Sequence, residues 1–299
     1  MRWQRRGRSE DLEDRRGESS ESGRIPMRFP LPGVRGGGMS LGGAVALIAV
    51  AWLLGINPIE LLGGGVGTNV GIDPGASDPG APAGAFSASP EEEELVQFVS
   101  FVLDDLQSTW SQLLPDYRRA HLVLFRDATH SACGTGQSEM GPFYCPGDGK
   151  VYIDLSFYGE LRSRFGAPGD FAQAYVIAHE IGHHVQALTG VEQRVRGEQR
   201  AAGTSANTLS VRMELQADCF AGVWGHHAAR REVLEPGDVE EGLRAAAAIG
   251  DDQIQKMSGR GVHPESFTHG SSEQRVAWLH RGLESGNPEV CDTFEAKGE

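Results

Sequence analysis

The clearest pattern in the chain is an amphipathic helix near its middle. Its apolar residues recur at alternating steps of three and four, which is the spacing of one buried helical face. They are Phe171, Ala174, Ala178, Ile181, Val185 and Leu188. Asp170 is suited to cap this helix, with Gln173 three residues on, and Gly190 stands where a left-handed C-cap is expected. The pattern therefore predicts a helix over residues 170–189.

Periodicity elsewhere predicts a domain of mainly helical α+β class, with a small sheet near its front. A long helix is expected from Ser89-Pro90 to about Leu114, because serine suits the N-cap and proline the first helical position. Runs rich in β-branched and aromatic residues predict short strands at residues 121–127 and 151–157. Further helices are predicted at residues 191–202, 208–231, 237–258 and 271–284. Together these elements make one domain over residues 91–295.

Three segments of different composition precede this domain. Residues 1–38 are rich in arginine, glycine and serine with few large apolar groups, which is typical of a disordered tail. Residues 39–62 are almost entirely apolar and about long enough to cross a membrane. Residues 63–90 consist largely of small residues, glycine and proline, which predicts a flexible linker.

The charge distribution predicts how these segments are oriented. Residues 1–38 hold nine arginines against six acidic residues, whereas the whole chain has a net charge of -14. By the positive-inside rule, residues 39–62 are expected to be an uncleaved, single-pass signal anchor in the cytoplasmic membrane. The basic tail would be cytoplasmic and the domain extracytoplasmic. A cleaved signal peptide and a buried core helix are the alternatives. The acidic balance disfavours nucleic acid as a partner, and no nucleotide is expected either.

An even number of cysteines in an exported domain favours disulfide bonds. The four cysteines allow three pairings. Because Cys133 and Cys145 are close together in a glycine-rich segment, we prefer Cys133–Cys145 together with Cys219–Cys291. A zinc site built from cysteines is the alternative, but it needs a C-x-x-C spacing that the chain lacks.

The helix predicted at residues 170–189 carries an HExxH motif, His179-Glu180-Ile181-Gly182-His183. Histidines four residues apart project from one helical face about 6 Å apart along the axis, so both can bind one ion. A hydrolytic zinc site takes three protein ligands and keeps its fourth position for water. Glu214 is the best third ligand, because it flanks the apolar stripe of its helix as His179 flanks its own.

One Zn²⁺ per chain is therefore expected, in a peptidase that hydrolyses peptide bonds by a zinc-activated water. Glu180, adjacent to the first ligand, is the expected general base. Asp218, one turn after Glu214, is expected to accept a hydrogen bond from a ligand histidine. His269, in a loop before the last helix, could donate to the oxyanion, although a structural role for this loop histidine is the alternative.

Other features of the motif qualify this interpretation. Gly182 is a poor choice inside a helix, and this indicates that something approaches closely there. The longer HExxHxxGxxH pattern is absent, since Gln186 and Thr189 occupy its glycine and histidine positions. The competing interpretations are surface histidines on an amphipathic helix and, for Glu214 with Asp218, a solvated charged face.

The chain resembles the bacterial neutral zinc metallopeptidase family in four segments, at residues 133–154, 178–186, 214–224 and 268–278. The tail, anchor and linker also resemble that family's layout. The resemblance implies a zincin-like fold, with His179 and His183 as metal ligands, Glu180 as the catalytic carboxylate and Glu214 as the glutamate ligand. It does not define a substrate.

The leading functional hypothesis is an endopeptidase that acts on peptides or proteins outside the cytoplasmic membrane. One alternative is a non-catalytic, zinc-stabilised binding module. Another is a zinc amidase that acts on cell-wall peptides.

Overall fold

A computed structural model describes residues 1–18, 87–202, 206–259 and 261–295, which belong to one folded unit. The strands of the described residues are β1 (Leu12–Asp14), β2 (His121–Phe125), β3 (Ala128–Ser131), β4 (Gly134–Gln137), β5 (Phe143–Cys145) and β6 (Lys150–Asp154). Their helices are α1 (Pro90–Leu113), α2 (Ser156–Ser163), α3 (Asp170–Leu188), α4 (Val191–Ala202), α5 (Ala206–Arg230), α6 (Asp238–Ala248), α7 (Asp251–Met257) and α8 (Ser272–Ser285). The mainly helical α+β prediction is therefore confirmed for this part of the chain.

Helix α3 forms the centre of the core, packed against α1, α4, α5 and α6. Its close approach to α5 depends on Gly182, where an added Cβ would lie 2.9 Å from the backbone oxygen of Ala217. The close contact expected from this glycine is thus the second helix itself. Helix α8 packs closely against the other side of α5, because any side chain at Gly222 would collide with the backbone of Leu279.

A four-stranded sheet of order β1-β2-β6-β5 covers the front of the helices. Strands β1, β2 and β6 are parallel, and β5 is an antiparallel edge strand. Strands β3 and β4 form a separate antiparallel hairpin. The strands predicted at residues 121–127 and 151–157 are present but shorter, since residue 156 already begins α2.

Residues 1–18 differ from the expected disordered tail. β1 adds to the sheet beside β2, and the Trp3 ring packs edge-on against Phe98 of α1 at 5.5 Å. The buried Arg16 guanidinium bonds Asp14 at 2.7 Å and Glu93 at 2.9 Å. Composition predicted disorder because the segment has few large apolar groups, but strand pairing and tertiary ion pairs hold residues 1–18 on the domain.

The predicted anchor at residues 39–62 and most of the linker over residues 63–90 lie outside the described residues. Among the residues that are described, no helix is both long and apolar enough to cross a membrane.

Helix α2 was not predicted, and the other helix boundaries follow the predictions closely with two differences. Gly169 rather than Asp170 is the N-cap of α3, and Asp170 is its first residue. The single helix predicted at residues 237–258 is two helices, α6 and α7, because Gly250 between them is extended, with φ -68° and ψ 145°. By contrast, Gly190 takes the expected left-handed conformation, with φ 77°.

Both predicted disulfide bonds are present, Cys133–Cys145 and Cys219–Cys291. The first links β5 to the loop between β3 and β4. The second ties α5 to the 3₁₀ turn at Pro288–Cys291, which follows α8.

Candidate metal centre

Two histidines of α3 and one glutamate of α5 converge at the contact between these helices. His179 Nε2 lies 3.1 Å from Glu214 Oε2, and His183 Nε2 lies 3.6 Å from Glu214 Oε1. One donor atom from each of the three side chains lies within 4.8 Å of the other two. Two imidazole nitrogens and a carboxylate are ligands that zinc accepts.

The outer nitrogens of both imidazoles are already engaged. His179 Nδ1 donates to Asp218 Oδ1 at 2.8 Å, and His183 Nδ1 donates to Gln186 Oε1 at 2.9 Å. Each Nε2 therefore faces Glu214, and its lone pair becomes available to a metal ion when that nitrogen loses its proton, which is the arrangement that metal-ligating histidines need. These hydrogen bonds and the donor set together fit a zinc ion held by His179, His183 and Glu214.

Without a cation, the site holds protons tightly. Burial opposes protonation of His179, but the Asp218 and Glu214 carboxylates together outweigh it and raise the pKa of His179 to about 10. Burial likewise opposes charge on Glu214, but the two histidines outweigh it and hold the pKa of Glu214 well below its usual range. The site thus stabilises positive charge beside the Glu214 carboxylate, and a bound cation would replace these protons.

A buried arginine, which sequence reasoning did not identify, completes the surroundings of His179. Arg275 of α8 donates from Nε and Nη2 to the two oxygens of Asp218, at 2.9 Å each. The Tyr175 hydroxyl also donates to Asp218, at 2.5 Å. Arg275 and Asp218 are 3% and 0% exposed. The arginine follows the Ser271-x-x-Gln274 capping box, but nothing in the sequence pairs it with a carboxylate 57 positions away.

His179, His183 and Glu214 all line a cleft of about 650 Å³, a volume typical of small-molecule sites. Aromatic residues Phe143, Phe157 and Phe165 contribute to one wall, and Met213 to the lining. Glu180 lines the same cleft between the two histidines in sequence and is 7% exposed. Its burial raises its pKa, which suits a carboxylate that takes up and returns a proton.

His269 also lines this cleft, where the loop before α8 carries it. Asp251, the first residue of α7, holds that loop by accepting the backbone N–H groups of Thr268, His269 and Gly270 at 2.6–3.0 Å. The Asp251 carboxylate also lies 3.2 Å from His269 Nδ1, and this hydrogen bond raises the pKa of His269. The break between α6 and α7 places Asp251 at the start of α7, where it contacts this loop.

Three tyrosines between residues 144 and 158 could also donate hydrogen bonds, but each has another partner or lies away from the cleft. The Tyr152 hydroxyl donates to Asp148 at 2.8 Å, and the Tyr144 hydroxyl donates to His184 Nδ1 at 3.1 Å. Tyr158 is buried and does not line the cleft. Of these three tyrosines, only Tyr144 borders the cleft, and its proton is already committed to His184.

The fold and site define a protein in which two histidines and a glutamate, a donor set that suits a metal ion, lie between two packed helices beside a cleft. The chain belongs to the family described as "Putative neutral zinc metallopeptidase", whose model matches residues 1–294. It is similar to "Uncharacterized protein YpfJ" of Escherichia coli K12, with 47% identity over 98% of this chain and 99% of the relative. It is also similar to "Uncharacterized protein Rv2575" of Mycobacterium tuberculosis H37Rv, with 40% identity over 82% of this chain and 85% of the relative. No solved structure matches the chain.

Proposed function

We propose that this protein is a zinc-dependent peptidase, with one zinc ion held by His179, His183 and Glu214 and with Glu180 as its general base. The observation that carries the proposal is that His179 Nε2 and His183 Nε2 both lie within 3.6 Å of the Glu214 carboxylate. The buried carboxylate of Glu180 lines the same cleft. A structural zinc site would need a fourth protein ligand. Membership of the metallopeptidase family supports the same conclusion.

Zinc bound at such a site lowers the pKa of water and polarises a carbonyl group. The protein's own contribution to the reaction is then proton transfer and orientation. Glu180 takes a proton from the attacking water and delivers it to the amine that leaves when the peptide bond breaks. Because burial raises the pKa of Glu180, its carboxylate retains the proton long enough to deliver it.

His269 is the residue that we propose to stabilise the oxyanion. Asp251 orients it by its contact with Nδ1, and the raised pKa of His269 favours the protonated ring, which donates from Nε2 as well. A positive donor fixed in a cleft before the reaction begins stabilises developing negative charge without reorganisation. The loop histidine is thus assigned a chemical role rather than only a structural one.

The substitution Glu180→Gln tests the proposal. It removes the base but retains the shape of the side chain, so we expect peptide hydrolysis to fall by about two to four orders of magnitude while zinc content stays near one per chain. Glu160→Gln is the matched control, because Glu160 lines the same cleft but is exposed. It should retain full activity.

The assay combines a peptide library with purified cell-wall peptides, each with and without a chelator. Chelator-sensitive cleavage of the library supports the peptidase. Cleavage confined to wall material would redirect the proposal to an amidase, and zinc binding without any turnover would indicate a binding module. Unchanged activity in Glu180→Gln would remove that residue from its role.

A further inference from the structure

Gln186 stands one helical turn after His183, at the position where the longer zinc motif has glycine. Its side chain is 0% exposed, and its Oε1 lies 2.9 Å from His183 Nδ1. A buried amide must satisfy both its oxygen and its nitrogen, so its orientation affects the histidine. The proposed chemistry does not use this amide.

Two backbone carbonyls determine which way this amide points. Gln186 Nε2 donates to the Met213 carbonyl at 2.7 Å and to Gln216 Oε1 at 3.1 Å. Gln216, also buried, donates from its own Nε2 to the Cys291 carbonyl at 2.9 Å. A carbonyl oxygen only accepts, so the nitrogen of each amide must face its carbonyl. The hydrogen-bond partners therefore determine which atom of each amide is the oxygen and which is the nitrogen, an assignment that is otherwise ambiguous.

The far end of this chain of hydrogen bonds is covalently held. Cys291 is bonded to Cys219, which lies three residues after Gln216 on α5. The carbonyl that orients Gln216 is thus tied to the same helix that carries Glu214. The network links His183 through two amides to a cross-linked part of the core.

The tautomer of His183 follows from this network. With its nitrogen committed to Met213 and Gln216, Gln186 presents only an oxygen to His183 Nδ1, so that nitrogen must carry the proton. Nε2 then keeps its lone pair, facing Glu214 at 3.6 Å. If the amide were reversed, its NH₂ group would select the tautomer with the proton on Nε2, which leaves no lone pair on Nε2 for a metal ion next to Glu214.

We propose that Gln186 and Gln216 are positioning residues that hold His183 in its metal-binding tautomer. The role parallels that of Asp218 at His179, but it is filled by a neutral amide. This inference rests on the proposed function in one respect, because it takes the bound ion to be the zinc proposed above. Its tests therefore measure metal affinity and tautomer rather than peptide cleavage.

The first test compares zinc dissociation constants, measured by competition with a chromophoric chelator, for two substitutions of one residue. Gln186→Leu removes the acceptor, so we expect zinc to bind about 10–100-fold more weakly. Gln186→Glu keeps an acceptor for His183 Nδ1 but loses both donated hydrogen bonds, and we expect it to restore affinity toward that of the unchanged protein. If Gln186 only tied α3 to α5, Gln186→Glu would be as weak as Gln186→Leu, and the proposal would be overturned.

The second test needs neither zinc nor a variant. Imidazole ¹⁵N chemical shifts of the metal-free, full-length protein, at a pH where His183 is uncharged, report which nitrogen carries the proton. We expect the proton on Nδ1; a proton on Nε2 overturns the inference, even if every leucine variant fails to fold. Gln216→Leu removes one of the two acceptors of Gln186 Nε2 but leaves the Met213 carbonyl, so we expect the Nδ1 tautomer to predominate by a smaller margin. Should the unchanged protein show the expected tautomer but bind no zinc, the proposed function fails and the role of the two amides in orienting His183 stands.

Discussion

Replacing Arg275 by methionine should destabilise the folded protein strongly. The guanidinium is 3% exposed and makes two hydrogen bonds to Asp218 at 2.9 Å, one to the Tyr175 hydroxyl at 3.1 Å and one to the Ile249 carbonyl at 3.3 Å. Methionine fills a similar volume but removes the Arg275 cation from Asp218, and this buried carboxylate keeps only His179 and the Tyr175 hydroxyl as partners. Removing one partner of a buried ion pair costs about 3–5 kcal/mol.

The measurement is the free energy of unfolding of the metal-free protein in urea. Arg281→Met is the matched control, because Arg281 is exposed on the same helix and packs only over the Trp278 ring, 4.8 Å from its centroid. That contact is worth at most about 1 kcal/mol at an exposed site. A loss at Arg275 no larger than that of the control would refute the reasoning.

A double substitution shows whether the cost comes from the pair. Asp218→Asn removes the charge that Arg275 neutralises, so the double variant should lose less stability than the sum of the two single variants. Strict additivity would mean that Arg275 stabilises the fold through contacts other than Asp218.

Two further predictions concern other parts of the structure. If protonated His269 stabilises the oxyanion, activity falls as pH rises through the pKa of His269. The hydrogen bond to Asp251 raises that pKa, so Asp251→Asn should move the alkaline limb of the kcat/KM profile to lower pH. An alkaline limb that does not move would exclude this role for His269. In strand β1, the Glu13 carboxylate lies 2.7 Å from Lys150 Nζ of β6. A zero-length carbodiimide cross-link between these two side chains should therefore form in the full-length protein produced in cells. No cross-link, with the first 18 residues open to protease, would contradict their packing on the domain.

The same cross-link tests the prediction that residues 1–38 and the domain lie on opposite sides of the membrane. A cytoplasmic tail and an extracytoplasmic domain would be separated by the bilayer, whereas β1 and β2 are hydrogen-bonded neighbours in one sheet. The two disulfide bonds fit an oxidising compartment for the domain. The single-pass orientation stays a prediction, and the side on which residues 1–18 lie is its most direct test.

The sequence predicted those parts of the structure that depend on local periodicity and spacing. Helix α3 and the close approach at Gly182 followed from patterns within a few turns of helix. The start of α8 was also predicted to within one residue, since helical periodicity is a local signal.

Features that depend on distant partners could not be predicted in this way. Residues 12–14 read as part of a polar tail, and only pairing with β2 makes them a strand. Arg275 and Gln216 are ordinary helix residues in sequence, and their roles arise from partners 57 and 30 positions away. The break at Gly250 had a local signal, since glycine is a poor helix former, but the contacts of Asp251 with the loop before α8 could not be predicted from it.

The most direct test of the metal centre is a crystal structure of the zinc-loaded protein, with anomalous diffraction recorded on both sides of the zinc edge. We predict one peak per chain, bonded to His179 Nε2, His183 Nε2 and a Glu214 oxygen at about 2.0–2.2 Å. A map with no anomalous peak between these three side chains, or with the zinc bound elsewhere, would contradict the account.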